Sequence, residues 1–270
     1  MTAKITFIGA GNMASSLAGG LIAKGYQANA ITMTDLNQDT LEANHKALGV
    51  NISTDNIDAC QNANVIVLAV KPQVMEQVVS PLKDIVEQNK PVIVSIAAGI
   101  TLNNLQTWLS HDTPLVRCMP NTPALVQAGA CGLFANQQVN QTQRALALSI
   151  LSAVGLALWV ESEDQIDAVT ALSGSGPAYY FLVMEAMINA GKTLGLSEDT
   201  AKQLTLQTAL GAAQMALDSD VDASELRKRV TSPGGTTEKA IGILQQRQLE
   251  DTFAQALKGA YDRSKELASQ

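Results

Sequence analysis

The chain has 270 residues, 46% hydrophobic and 16% charged, with a net charge of -7 and only 4% aromatic residues. That is enough for two domains with a sizeable core, too acidic for a nucleic-acid surface and too poor in rings for base stacking. Cys60, Cys118 and Cys131 are odd in number and lack metal-ligand spacing, so they read as buried thiols of a reducing cytoplasm, with no metal site. His45 and His111 lie in polar surroundings and are expected at the surface, which leaves histidine catalysis almost no candidate.

Met1 leads directly to an apolar strand, without the basic, apolar and small-residue series of a signal peptide, so a cytoplasmic protein is expected. Residues 5–8 run into Gly9, Ala10, Gly11, Asn12, Met13 and Ala14, after which Leu17, Leu21 and Ile22 recur at helical spacing. This is strand, tight turn and helix in GxGxxA form. The first glycine permits the turn, the second lets backbone approach a pyrophosphate, and Ala14 lets the helix pack closely. Alone the pattern is weak. Its place at the start of the chain, its flanking elements and Asp35 about 20 residues on make it a nucleotide-binding turn.

A strand at 30–34, a helix over Gln38–Leu48 and a strand at 65–70 follow, the last so apolar that both faces must be covered. It ends at Lys71 and Pro72, and Lys71 reads equally as a cofactor contact or a solvated lysine at a helix start. A further helical stretch precedes a strand at 92–96, which leaves through Ala97, Ala98 and Gly99. A helix near 101–109 then leads to a strand over Leu115–Met119. Strand ends at 69–72 and 95–99 are expected to line the crevice where an open parallel sheet binds its ligand. The uncharged run 145–160 is shorter than the ~20 residues of a membrane span and is split by Gly155, so it reads as helix then strand.

Past Glu161 only helical patterns occur, broken at 174–177, 195–197, 219–222 and 230–240. The expected architecture is α/β: an N-terminal Rossmann-type dinucleotide-binding domain, residues 1–161, followed without a linker by an all-α dimerisation and substrate-binding domain, residues 162–270. The junction of such domains is the default ligand site. Tyr179 to Met184 is apolar on all sides, and the next helix carries Ala209, Gly211, Ala212 and Ala213. A helix this apolar is expected to be buried nearly all round, and about 110 residues cannot cover both helices, so a second subunit is expected to do so.

Within VTSPGGTTEKA, residues 230–240, Ser232 reads as an N-cap and Pro233 as the first helical residue, followed by Gly234 and Gly235. An exposed helix start can hold a small carboxylate on backbone amides, here the Gly234 and Gly235 amides with Ser232, and the Thr236 and Thr237 hydroxyls lie beside it. The other reading is an ordinary capped helix with a flexible glycine pair.

FIGAGNMA at 7–14, AVKPQ at 69–73, RCMPNTPA at 117–124, SGSGPA at 173–178 and VTSPGGTT together resemble pyrroline-5-carboxylate reductase over essentially the whole chain. The resemblance implies NAD(P)H-dependent reduction of 1-pyrroline-5-carboxylate to L-proline, the last step of proline synthesis, by an intertwined homodimer often assembled further. Such chemistry needs a hydride at carbon, a proton on nitrogen and a grip on the carboxylate. A protonated iminium is already electrophilic, so neither metal nor strong general acid is required. The resemblance places cofactor contacts on Gly9 to Met13, Asn56, Ala69, Val70, Lys71, Ala97, Ala98 and Gly99. It places substrate contacts on Glu163, Thr236 and Thr237, with the loop coming from the partner subunit. Thr237 is the catalytic candidate, orienting the ring nitrogen by a hydrogen bond. Glu163 otherwise reads as a plain surface acid. Arg229 stands where other members have Asn or Met, and its role is open.

Asp35 is the sharper departure. Members of the family commonly use NADPH with small polar residues at this strand end, whereas a carboxylate there bonds the ribose diol of NADH. No Lys or Arg lies between Lys24 and Lys46 to neutralise a 2′-phosphate. Like charges at ~4 Å in an effective dielectric near 20 repel by up to about 4 kcal/mol. Thr34, Asn37 and Asn56 could offset part of this, so NADPH stands on resemblance and NADH on local electrostatics. Two rivals share the layout. A hydroxyacid dehydrogenase of the six-phosphogluconate type would need a lysine where Tyr180 stands, and none occurs between Lys90 and Lys192. A non-catalytic NAD(P)H sensor would have no need of the substrate loop.

Overall fold

Charge-free runs of Ile and Val make strands that must be covered on both faces, and the computed structural model, which describes residues 2–268, builds its sheet around them. The strands are β1 (Ile5–Ile8), β2 (Ile31–Thr34), β3 (Asn51–Ser53), β4 (Val65–Leu68), β5 (Val92–Ser95), β6 (Leu115–Met119), β7 (Gly129–Ala135) and β8 (Gly155–Trp159). They lie in the order β3-β2-β1-β4-β5-β6-β7-β8, parallel throughout except between β6 and β7. Neither β3 nor β7 is anticipated by the sequence reading. In β7 the apolar signal is diluted by glycine, and the structure shows why: a Cβ on Gly132 would come within 2.6 Å of Val169 Cγ2.

The intervening helices are α1 (Asn12–Ala23), α2 (Gln38–Leu48), α3 (Asn56–Cys60), α4 (Met75–Val79), α5 (Lys83–Asn89), α6 (Leu102–Trp108), α7 (Gln141–Leu151) and α8 (Gln165–Val169). Alternate strand residues feed two cores. Phe7, Val67 and Val94 pack with Leu17 and Leu21 of α1, Leu41 of α2 and Ile150 of α7, while Ile8, Ile66 and Ile93 pack with Met75, Val79 and Leu105. The ends of α2 follow local chemistry: the Asn37 side chain accepts Thr40 N–H at 3.1 Å, and Gly49 closes the helix at φ 71°.

The described residues up to Ser175 and those from Ala260 on form one compact unit, and Gly176–Gly259 forms another. The strands end before residue 161, but packing carries the first unit further. Val169 sits on β7, and Gly174, closing a π-helical stretch Thr170–Gly174, sits on Met119 of β6. The second unit holds α9 (Gly176–Thr193), α10 (Glu198–Leu217), α11 (Ala223–Arg229), α12 (Thr236–Gln246) and the first part of α13 (Leu249–Ala268). Burial of α9 nearly all round is not met within one chain: Tyr180, Phe181 and Leu182 are 69%, 62% and 66% exposed. Leu204, Leu210 and Leu217 of α10 are exposed as well. No helix among the described residues is long and apolar enough to cross a membrane.

All three cysteines are buried, and His45 and His111 are exposed. Burial pushes the Cys60 thiol up to about 12, and burial with the adjoining Cys131 raises that of Cys118. At pH 8 Cys60 therefore stays almost wholly in the unreactive thiol form. A disulfide-exchange reagent at that pH is expected to leave the folded protein unlabelled and to label all three thiols in denaturant. Prompt labelling of native protein would mean that a thiol is open.

Candidate active site

Because β1 pairs with both β2 and β4, the chain leaving β1 emerges where the strand order reverses, the place at which an open α/β sheet takes a ligand. Gly9 makes the turn at φ 97°, and a Cβ there would lie 2.6 Å from Ala69 O. Its N–H donates to Thr34 O at 2.8 Å, while Ala69 N–H donates to Ile8 O at 2.8 Å. Gly11 begins α1 with no capping side chain, no acid occupies the first turn, and Gly11 and Asn12 are exposed, with Met13 half-buried. Amides left open at a helix start, beside a turn that only glycine can make, fit a pyrophosphate.

The turn is braced from α2. Asn44 Nδ2 donates to Ala10 O at 3.1 Å, and Asn44 Oδ1 accepts the Ser15 hydroxyl at 2.7 Å. The sequence reading passes over Asn44. Its signal is an amide three residues after Leu41, on the side of α2 that is buried. Asp35 faces the same turn: Oδ2 accepts Ala10 N–H at 3.0 Å and Oδ1 accepts Asn37 N–H at 3.0 Å. Behind it the buried Thr34 hydroxyl donates to Asn56 Oδ1 at 2.5 Å. Gly9 to Met13, Thr34, Asp35, Asn56 and Ala69 are thus brought together at the ends of β1, β2 and β4. Val70 is half-buried and packs on the second core, and Lys71 is exposed directly before Pro72. Ala97, Ala98 and Gly99 leave β5, with Gly99 at φ 75° against Leu267.

Glu163 is not a plain surface acid. Its Oε1 accepts Arg117 Nη1 at 3.0 Å and Leu102 N–H at 2.8 Å, and its side chain is 26% exposed. The sequence reading misses Arg117, whose signal is a charge inside an otherwise apolar strand. Asn121 is missed too: it donates to Ser173 O at 3.0 Å and accepts Ala130 N–H at 2.9 Å, joining the RCMPNTPA and SGSGPA stretches.

In the second unit the helix start lies later than Ser232 and Pro233 suggest. Gly235 N–H donates to Ser232 O at 3.0 Å across Pro233 and Gly234, whose φ is 74°, so Ser232 to Gly235 is a type II turn. The N-cap is therefore Gly235, and α12 begins at Thr236. Two amides named from the sequence are engaged inside the loop, Gly235 with Ser232 O and Gly234 with Glu238 Oε2 at 2.7 Å. The amides of Thr236 and Thr237 are the open ones, since the first N–H groups of a helix have no acceptor within it. The hydroxyls of both threonines are free among the described residues. A trough of about 300 Å³ runs from Gly234 and Gly235 along α12 past Glu238, Lys239 and Gly242 to Gln246, with neither threonine in its lining. Arg229 pairs within α11, its Nε 3.3 Å from Glu225 Oε1. Among the described residues no group of three His, Cys, Asp or Glu is gathered that could hold a metal ion.

A glycine turn at the reversal of a parallel sheet, with a carboxylate at the next strand end, defines a dinucleotide-binding protein. Residues 4–99 match the family described as NADP oxidoreductase, coenzyme F420-dependent, and residues 163–267 match pyrroline-5-carboxylate reductase dimerisation. The chain is 53% identical to a pyrroline-5-carboxylate reductase of Pseudomonas aeruginosa, with 100% of this chain and 98% of that one aligned. Among solved structures, the pyrroline-5-carboxylate reductase of Coxiella burnetii superposes with a TM-score of 0.96 at 50% identity, covering 99% of each chain. The pyrroline carboxylate reductase of Plasmodium falciparum, solved with NADP bound, gives 0.87 at 29% identity over 98% of each chain. The chain belongs to the pyrroline-5-carboxylate reductase family and carries its dimerisation domain.

Proposed function

We propose that this protein reduces 1-pyrroline-5-carboxylate to L-proline with NAD(P)H, the closing step of proline biosynthesis. The observation that carries the reading is likeness over the whole chain, at 53% identity, to a reductase of that name. When bound, the dinucleotide supplies the hydride to the imine carbon. The ring nitrogen, already protonated as an iminium, becomes the amine of proline, so no side chain needs to deliver a proton in that step.

Gly11, Asn12 and Met13 take the pyrophosphate on the open amides at the start of α1, over the braced turn of Gly9 and Ala10, and Ala69, Val70, Lys71, Ala97, Ala98 and Gly99 flank the nicotinamide half. Thr34, Asp35 and Asn56 sit at the adenosine ribose, and Asp35 favours NADH. In the substrate loop, Ser232, Gly234 and Gly235 shape the turn, and the Thr236 and Thr237 amides grip the carboxylate. The Thr237 hydroxyl orients the ring nitrogen. Glu163 contacts substrate with its partly exposed carboxylate, held in place through Oε1 by Arg117 and the Leu102 amide. Residues 162–270 form the dimerisation and substrate domain, in an intertwined homodimer in which a second copy covers α9 and α10 and lends its loop. The exposed apolar side chains of both helices support this.

The test follows cofactor oxidation with racemic 1-pyrroline-5-carboxylate, NADH and NADPH side by side. Imine-dependent oxidation is expected with at least one cofactor. Tight cofactor binding without it would replace the reductase by a sensor.

A further inference from the structure

Arg117 is the one charged residue of β6, and its side chain is only 3% exposed. A guanidinium in that position must be paired, and it is paired twice. Nη1 meets Glu163 Oε1 at 3.0 Å and Nη2 meets Asp167 Oδ1 at 3.2 Å. Each of those oxygens accepts a second donor, Leu102 N–H at 2.8 Å on Glu163 and the Ser264 hydroxyl at 2.7 Å on Asp167. Leu102 opens α6 just after Gly99. Ser264 stands one helical turn before Leu267, whose atoms lie 3.3–3.4 Å from where a Cβ on Gly99 would be. Two arms of one guanidinium therefore end on either side of the turn that leaves β5.

We propose that Arg117 is a positioning residue. Through Glu163 it fixes the start of α6, through Asp167 and Ser264 it fixes the end of α13, and together these set the place of residues 97–99 beneath the nicotinamide. The inference rests on reading that turn as part of the cofactor site. Stability alone does not account for the arrangement, because a well-packed apolar side chain in place of a buried ion cluster is often as stable or more so. The fork has a directional use instead: among the described residues Nε has no partner, and the pairing runs through the two terminal nitrogens, one to each carboxylate. A shift of about 1 Å at a reacting group costs on the order of 10²-fold in rate.

Ser264→Ala, Arg117→Lys and Arg117→Met are compared with wild type in kcat, in cofactor KM and in the primary isotope effect with cofactor deuterated at the transferring carbon. Ser264→Ala is expected to lower kcat about 5-fold and Arg117→Met about 100-fold, with cofactor KM within about 2-fold and a larger isotope effect. Arg117→Lys is expected not to rescue, since an ammonium lacks the fork that reaches both carboxylates. Hydrogen exchange at residues 99–102 is expected to quicken about tenfold in Ser264→Ala while the sheet core is unchanged. Variants that keep kcat per folded molecule and lose only thermal stability would overturn the proposal. If Arg117→Met does not fold, Ser264→Ala carries the same comparison. A wild type without imine reduction would sink the activity reading alone, and exchange at Leu102 unaltered by Ser264→Ala would then sink this one.

Discussion

Replacing Thr237 by Ala is expected to lower turnover about 10²-fold while changing cofactor affinity by less than about 2-fold. Thr237 is the second residue of α12, its amide is among the open ones, and its hydroxyl is free among the described residues. Removing the methyl and hydroxyl leaves the helix start intact, because the N-cap is Gly235 and the turn is closed by Ser232 O. On the proposed role, what is lost is a hydrogen bond orienting the ring nitrogen, and with it the angle at which the imine carbon faces the hydride. A 10²-fold loss corresponds to about 2.7 kcal/mol of transition-state stabilisation. Thr237→Ser, which keeps the hydroxyl, is expected to recover most of it. Steady-state kinetics with both variants checks this, and an undiminished kcat in Thr237→Ala would remove the residue from the mechanism.

Replacing Asp35 by Ser is expected to move the NADPH-to-NADH ratio of kcat/KM toward NADPH by about 10- to 100-fold. The bare repulsion of up to about 4 kcal/mol is an upper figure, and a half-exposed carboxylate in salt solution keeps only part of it. Asp35 is not free to swing aside cheaply, since its two oxygens hold the amides of Ala10 and Asn37. Turning outward to admit a 2′-phosphate would break both bonds. Serine can replace one acceptor at most, so a modest rise in NADH KM is expected alongside. Initial rates with both cofactors decide the matter. A wild type that already prefers NADPH would show that the carboxylate is compensated by groups outside this turn.

The dinucleotide half was legible because its strands are short, charge-free and punctuated by glycine, and the structure places β1, α1, α2 and β6 where those signals put them. β3 escaped because Asn51–Ser53 is a polar edge of three residues, and β7 because Val169 claims the space where Gly132 would carry a side chain. At the substrate loop the Ser-Pro pair imitates a helix start, but Pro-Gly at the centre of a type II turn is the stronger local preference, and it delays the helix to Thr236. Glu163 could be found as an isolated acid near the junction. Its partner lies 46 positions away in the chain, and no local pattern joins the two. The inverse route starts from the lone arginine in LVRCM, which the structure buries and which there requires a carboxylate partner.

The bracing of the glycine turn bears on how the dinucleotide arrives. Ala10 is held through its carbonyl by Asn44 and through its amide by Asp35, and Gly9 is tied to Thr34. The cradle stands ready-made, with no loop left to order on capture. Association is then a docking event, limited by encounter and orientation and not by a folding step, and little binding free energy is lost to freezing backbone.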